Sequence, residues 1–213
     1  MNLLQQVKLT LFFNNYRGLS VLKFLKKKKL NIQNIIISKE NLNKFVLIHL
    51  RKKKIKFFLI KNLKERRIVK ILRNTDLGLV CGFSHIFKKE LINLTKYGLL
   101  NCHAGKLPEY RGGSPLNWQI INNEKYFGIS IIKINKDIDK GDIVKEKKFK
   151  LYTKYTIKDL HKIANNNFPI LIYKSIIKIL LNRRLKKQNN RLAKYYKQRR
   201  PEDSFIDFKI TKI

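Results

Sequence analysis

The sequence contains few cysteines and no long apolar run. Only two cysteines occur in 213 residues, and they have no C-x-x-C spacing, which argues against a disulfide framework and against a metal site. Cys81 and Cys102 both lie within apolar runs, so we expect two buried thiols. No apolar run reaches the roughly 18–20 residues that cross a bilayer. The N-terminal segment has no basic region and no small-residue cleavage site, so we expect a cytoplasmic protein with no membrane partner.

Acidic residues are also scarce. Fourteen aspartates and glutamates stand against 49 lysines and arginines, giving a net charge of +35 at pH 7. Such a charge is compatible with a nucleic acid or another polyanion as partner. However, the 38 lysines and 11 arginines are spread along a chain rich in Lys, Asn and Ile. Lysine predominates, although the planar guanidinium of arginine matches the geometry of a phosphate better. We favour a compositional origin of the charge, while expecting the surface to attract anionic substrates.

Internal repeats and Gly/Ser linkers are absent as well. A chain of this length with 44% hydrophobic residues can bury one substantial core. We therefore predict one domain over residues 1–182, followed by a basic C-terminal extension, residues 183–213, that packs on or near the functional site.

Apolar runs alternate with amphipathic stretches along this domain. Strands are predicted at residues 7–13, 32–38, 55–60, 77–83, 98–103, 127–134 and 142–151. Helices are predicted at residues 19–28, 42–53 and 65–73, after a Ser114 cap with Pro115 as first residue, and over 156–181, where Pro169 could introduce a kink. The alternation predicts an α/β fold with a mostly parallel sheet and helices on both faces. Ligands of such open sheets bind beyond the carboxyl ends of the strands.

A histidine, an amide and a carboxylate come together at such an end. The run GLLNCH places Asn101 and His103 at the end of the fifth strand, and the acidic loop DIDKGD follows the next strand. Asp137, Asp139 and Asp142 compete for the acidic role. An isolated histidine is usually structural, and an isolated asparagine here would be a strand-end cap. Together, however, these groups favour acyl-type transfer: the histidine moves protons, the carboxylate orients it and stabilises its charged form, and the amide donates to a developing oxyanion.

This pattern resembles the 10-formyltetrahydrofolate-dependent formyltransferases, which include methionyl-tRNA, glycinamide ribonucleotide and nucleotide-sugar enzymes. Their pattern is N-x-H, then L-P-x-Y-R-G, then a distant D-x-G, and the resemblance covers residues 78–148 most clearly. The matching residues are Asn101, His103, Leu107, Pro108, Tyr110, Arg111, Gly112, Asp139 and Gly141. The resemblance implies a Rossmann-like formyltransferase catalytic domain in which Asn101, His103 and Asp139 are catalytic. It selects Asp139 because this aspartate alone stands two residues before Gly141.

The resemblance also implies binding sites, with 10-formyltetrahydrofolate as the co-substrate and no metal. The residues that it assigns to the folate are Ser84, His85, Ile86, Phe87, Gly105, Lys106, Leu107, Pro108, Asn135, Lys136, Asp137 and Ile138. Those that it assigns to the acceptor are Tyr110, Arg111, Gly112 and Gly113. Without the resemblance, GFSHIF could simply be a strand end. The segment G-K-L-P also departs from the S-L-L-P of the tRNA enzymes, which leaves the side-chain contacts at Gly105 and Lys106 open.

The acceptor is less closely specified. The segment YYKQRRPEDSFIDF resembles the R-x-P-x-D-G-x-I-x-W segment of nucleotide-sugar enzymes, with Ser204 and Phe208 in place of Gly and Trp. The tRNA enzymes have a second domain that would begin about where this chain ends, and a basic insertion after the second strand that is missing here. We expect an amino sugar on a nucleotide carrier as the acceptor, with methionyl-tRNA as the alternative and a homodimer left open. A non-catalytic basic protein that binds nucleic acid is a third hypothesis, which requires the motif to be accidental.

Overall fold

A seven-stranded sheet forms the centre of the protein in this computed structural model, which describes residues 3–205. The strands in chain order are β1 (Leu9–Phe12), β2 (Ile32–Ser38), β3 (Phe58–Ile60), β4 (Leu77–Val80), β5 (Leu99–His103), β6 (Arg111–Gly112), β7 (Tyr126–Lys133), β8 (Ile143–Lys150) and β9 (Tyr195–Tyr196). The order in the sheet is β3-β2-β1-β4-β5-β7-β8. Strands β1 to β5 are parallel, whereas β7 is antiparallel to both β5 and β8. Strands β6 and β9 form a separate parallel pair.

Helices cover both faces of this sheet. They are α1 (Leu3–Gln6), α2 (Tyr16–Lys27), α3 (Lys44–Lys52), α4 (Arg66–Arg73), α5 (Lys89–Ile92), α6 (Pro115–Ile121) and α7 (Ile157–Leu180), with 3-10 turns at Asn190–Leu192 and Pro201–Ser204. Side chains cap three of the long helices: Asn15 at α2, Asn43 at α3 and Thr156 at α7. No helix among residues 3–205 combines the length and apolarity that crossing a membrane requires.

The two faces of the strands build two layers of core, because successive strand residues point to opposite sides. Leu11 and Leu79 point to the larger layer, where α2, α3, α6 and α7 pack. Phe12 and Val80 point to the smaller layer, which is closed by α4 and α5. The predicted fold class, a mostly parallel sheet with helices on both faces, is confirmed.

Several element boundaries differ from the sequence prediction for local reasons. Strand β3 begins at Phe58 rather than at residue 55, because the amide of Ile55 closes the end of α3 by donating to Leu50. Strand β4 ends before Gly82, whose φ of +70° turns the chain out of the sheet. Helix α7 runs as a single helix through Pro169.

The start of α6 shows one corrected detail. Pro115 begins the helix as predicted, but Ser114 makes no side-chain capping bond. The hydroxyl of Ser114 instead accepts from the main-chain amide of Arg199 at 3.0 Å, in the C-terminal extension.

Candidate active site

Two of the predicted catalytic residues, Asn101 and His103, lie at the carboxyl end of β5, and the third, Asp139, lies in the loop between β7 and β8. Asn101 pairs with Val80 of β4 on one side and with Ile132 of β7 on the other. His103 is the last residue of β5 and is only 6% exposed. The buried pairing on both sides fixes the backbone that carries both side chains.

Both ring nitrogens of His103 face oxygen atoms. Nε2 lies 2.5 Å from the main-chain carbonyl of Tyr110, and Nδ1 lies 3.4 Å from Oδ2 of Asp139. A carbonyl can only accept, so the Nε2 proton is the donor in the first contact. A doubly protonated ring also donates from Nδ1 to Asp139, whereas a ring protonated only on Nε2 presents an unprotonated Nδ1 to the carboxylate and makes no hydrogen bond there.

Asp139 occupies a left-handed backbone conformation in the loop between β7 and β8. Its φ is +53°, which aspartate tolerates better than most residues. The carboxylate Oδ2 accepts from the main-chain amide of Gly112 at 2.9 Å, and Gln188 Nε2 donates to the Asp139 carbonyl at 2.8 Å. The glycine of the D-x-G motif also has a steric role, because a side chain at Gly141 would meet the carbonyl of Lys133.

Two cavities meet at this group of residues. We call them the polar cavity, of about 640 Å³, and the apolar cavity, of about 570 Å³. Both are lined by Phe83, Asn101, Gly112, Gly113, Asp139 and Gln198, and His103 lines the polar cavity. The amide and the carboxylate therefore stand at the rim between two compartments, an arrangement that suits transfer of a group from one bound molecule to another.

Most of the predicted folate residues line the apolar cavity. It is lined by Ser84, His85, Ile86, Phe87, Asn135, Lys136, Asp137 and Ile138. Val80, Ile132 and Ile134 add apolar walls. Within residues 3–205, the main chain of residues 84–87 makes no backbone hydrogen bond. Unpaired backbone donors and acceptors beside apolar walls fit a flat, amide-like ring such as a pterin.

The remaining predicted folate residues lie elsewhere. Gly105, Lys106, Leu107 and Pro108 line neither of these two cavities. A side chain at Gly105 would collide with the His103 ring, so the absence of a side chain here leaves room for that ring. Lys106 forms an ion pair at 2.9 Å with Glu124, which lies in the turn between α6 and β7. Leu107 packs in a small buried cluster.

Two of the predicted acceptor residues face away from both cavities. Arg111 is 1% exposed and donates to Gln188, Asn190 and the hydroxyl of Tyr195. The buried Tyr110 stacks on Tyr196, with ring centroids 5.1 Å apart. Burial and its hydrogen bond to Glu124 raise the pKa of Tyr110 well above the ordinary value. Both side chains thus hold the C-terminal extension, whereas Gly112 and Gly113 line the two cavities.

The extension forms one wall of the polar cavity. Its main chain pairs with the Y-R-G-G loop, where Arg111 donates to Lys194 at 3.0 Å and Gly113 donates to Tyr196 at 2.8 Å. Past this pairing, Arg199, Arg200 and Ser204 line the cavity, while Phe208 lies outside the described residues.

Sequence reasoning missed three cavity residues on the helical layer. Asn15 and Arg17 come from the loop after β1 and the first turn of α2, and His161 comes from α7. The rule that ligands bind beyond strand ends could have indicated the β1–α2 loop, but nothing in the local sequence marked Arg17. His161 stands on a helix, and only packing brings it to the cavity. Burial and the positive charge of Arg17 lower the pKa of His161.

The two cysteines are buried as expected and lie directly beneath the site. Their sulfur atoms are 3.3 Å apart, and both thiols are free. Burial raises the pKa of Cys81 above its ordinary value, so this thiol is a poor nucleophile.

Comparison with known proteins finds similar sequences and similar folds. A family model described as "Formyl transferase" matches residues 20–176. A methionyl-tRNA formyltransferase from Fusobacterium nucleatum is 30% identical over 191 residues, which cover 88% of this chain and 60% of that protein. The chain thus spans about 60% of that relative's length, and 37% of a methionyl-tRNA formyltransferase from Clostridium tetani.

Solved structures share the fold at lower identity. An N-formyltransferase from Helicobacter canadensis, in complex with folinic acid and dTDP-3-aminofucose, has a TM-score of 0.73 and 22% identity over 90% of this chain and 71% of that one. A 4-N formyltransferase from Francisella tularensis has a TM-score of 0.75 and 22% identity over 91% of this chain and 77% of that one.

Proposed function

Because this chain belongs to the formyl transferase family, we propose that it transfers the formyl group of 10-formyltetrahydrofolate to a primary amine. One observation carries the proposal: Asn101 and Asp139 stand on the rim shared by two cavities, and His103 lies against that rim. We assign the folate to the apolar cavity and the amine acceptor to the polar cavity. The folate supplies a formyl carbon that an amine can attack, so negative charge develops on the formyl oxygen.

Asn101, His103 and Asp139 have distinct roles in this proposal. The Asn101 amide donates to the formyl oxygen as its charge develops. His103 accepts at Nδ1 the proton that the attacking amine releases, because its Nε2 proton is held by the Tyr110 carbonyl, and Asp139 compensates the positive charge of the ring. The proton then passes to N10 of the folate as the bond between N10 and the formyl carbon breaks, so that tetrahydrofolate leaves. The Gly112 amide keeps the carboxylate in place by donating to it at 2.9 Å.

Residues 183–205 belong to the working site in this proposal, as a wall rather than as a separate domain. Arg111, Tyr110 and the β6–β9 pairing fasten this segment, and the arginines that follow face the acceptor cavity.

A nucleotide-linked amino sugar is our first candidate for the acceptor. The segment that resembles the nucleotide-sugar enzymes lines the polar cavity, through Arg199, Arg200 and Ser204. A solved relative of the same fold was crystallised with dTDP-3-aminofucose, an amine on a nucleotide carrier. Methionyl-tRNA is the second candidate, because the curated relatives at 30% identity and above include methionyl-tRNA formyltransferases and the chain has a net charge of +35.

The direct test incubates the full chain with 10-formyltetrahydrofolate and offers initiator methionyl-tRNA and a mixture of amino-sugar nucleotides in competition at physiological salt. Mass spectrometry then identifies which amine gains one CO unit. Binding alone does not discriminate, since a protein of this charge binds tRNA through its phosphates at low salt. A sugar product supports the first candidate, a tRNA product supports the second, and no product from any amine rejects formyl transfer.

A further inference from the structure

Arg17, in the first turn of α2, is a largely buried cation without an acidic partner. Its Nε has essentially no accessible surface and no hydrogen-bond partner. Nη1 donates to the main-chain carbonyl of Cys102 at 3.3 Å, and the guanidinium lies 4.8 Å from the ring centre of Phe168. No carboxylate within residues 3–205 forms an ion pair with it.

Such an arrangement is unfavourable for the protein alone. Moving a cation out of water requires compensation, and one carbonyl with one aromatic face supplies only part of it. Burial accordingly lowers the pKa of Arg17 from its ordinary value. A guanidinium with unused donors in a planar fork is well suited to a phosphate group, which would supply the missing charge.

The surroundings of Arg17 also favour an anion. The side chain lines the polar cavity at the N-terminal end of α2, a helix of 12 residues, where the helix dipole is positive. Arg199 and Arg200 face the same cavity from the C-terminal extension, and His161 faces it from α7. Within residues 3–205, Asp139 is the only carboxylate that lines this cavity, and it already contacts Gly112 and His103. The cavity therefore has three guanidinium groups against one engaged carboxylate.

We propose that Arg17 binds a phosphate group of the acceptor and thereby selects amines that carry phosphate. The proposal rests on the assignment of the polar cavity to the acceptor. A nucleotide-linked sugar offers a diphosphate and the end of a tRNA offers a phosphodiester, so the shared chemistry is a phosphate close to the reacting amine. Arg17 is a specificity-determining residue in this account, and the formyl carbon is handled by Asn101, His103 and Asp139.

The first experiment measures phosphate binding without catalysis. The full chain is titrated with inorganic pyrophosphate by calorimetry, with Arg17→Met as the test and Arg73→Met as the matched control. Arg73 is an exposed arginine at the end of α4, on the other face of the sheet, so its loss removes the same charge from a remote place. We expect Arg17→Met to bind pyrophosphate about 10- to 100-fold more weakly, as for a lost charge-assisted contact, and Arg73→Met to bind like the wild type.

Equal affinities in wild type and Arg17→Met would overturn the proposal, and so would equal weakening in both variants, which would indicate general electrostatics. If Arg17→Met does not fold, Arg17→Lys replaces it, because lysine keeps the charge but loses the planar fork. Severalfold weaker pyrophosphate binding by Arg17→Lys is then expected, and unchanged binding would contradict the role.

Folinic acid binding distinguishes this proposal from the proposed function. Its site is assigned to the apolar cavity, so Arg17→Met should leave its affinity unchanged. If wild type fails to bind folinic acid, the formyl-transfer proposal fails while the pyrophosphate result still decides the role of Arg17. Titration with a nucleoside diphosphate and with a dinucleoside monophosphate identifies the source of the phosphate. The compound whose affinity falls more from wild type to Arg17→Met carries the kind of phosphate that Arg17 binds. Unchanged affinity for both compounds would count against the role of Arg17.

Discussion

Oδ2 of Asp139 lies 3.4 Å from Nδ1 of His103 and 2.9 Å from the main-chain nitrogen of Gly112. One carboxylate oxygen therefore links the end of β5, the Y-R-G-G loop and the loop between β7 and β8. Because Gly112 also pairs with Tyr196 of the C-terminal extension, the position of the Asp139 carboxylate and the position of the cavity wall are connected.

Asp139→Asn should slow turnover by about 100-fold or more while leaving folinic acid affinity unchanged. Asparagine tolerates the φ of +53° and can still accept from Gly112, so the loop stays in place while the negative charge beside His103 is lost. Steady-state kinetics and a folinic acid titration measure the two effects. Asp142→Asn is the control, because Asp142 lies in the same loop and pairs with Lys187; equal losses in both variants would contradict the assignment to Asp139.

Asn101→Ala should lower kcat about 100-fold with little change in melting temperature. The Asn101 side chain makes no hydrogen bond within residues 3–205, although the residue is paired through its backbone on both sides. An amide without a structural partner can be removed without loss of packing, so its effect should be on the reaction. A fall in melting temperature with normal kcat would instead indicate a structural role for Asn101.

Truncation after Lys194 should abolish activity. The deletion removes β9, which pairs with β6, and it removes Arg199 and Arg200 from the polar cavity. Folinic acid binding should weaken less than turnover, because within residues 3–205 the deletion removes only Tyr195, Tyr196 and Gln198 from the lining of the apolar cavity. The two are compared by titration and by a product assay, and undiminished product formation would show that the extension is dispensable.

Glu124→Gln should destabilise the protein by about 1 kcal/mol at neutral pH, or roughly 2–4 °C in melting temperature. Burial opposes ionisation of Glu124, but the hydrogen bond from Tyr110 and the contacts with Lys106 lower its pKa overall. A folded-state pKa below the unfolded value adds stability above about pH 4.3, and this contribution is lost as the pH falls through the folded pKa. Thermal melts of both proteins from pH 7 to pH 3.5 should therefore converge at the acidic end; a constant difference would contradict the ionic origin.

Arg17→Met should raise the pKa of His161. Burial and the charge of Arg17 both lower this pKa, and the substitution removes the second cause. The protein has four histidines, so the resonance can be assigned with His161→Gln and followed by NMR titration. Arg73→Met is the control for loss of one positive charge. The same pKa in wild type and Arg17→Met would show that the two side chains do not interact electrostatically.

Part of the fold follows directly from the chain. The alternation of apolar strands with amphipathic segments predicts the parallel sheet, since each pattern has its own periodicity and the central parallel strands β1 and β4 are buried on both faces. Boundaries such as the start of β3 could not be predicted, because they depend on where the Ile55 amide finds a partner.

The sequence by itself determined the family, the strand-end position of Asn101 and His103, and the choice of Asp139, because the N-x-H and D-x-G spacings are local properties. The tertiary structure decided what the neighbouring motif residues do: Arg111 points into the C-terminal extension and not into a cavity. It also brought Arg17 to the polar cavity. A side chain's direction and the absence of a counter-ion depend on residues far away in the chain, so no local pattern records them.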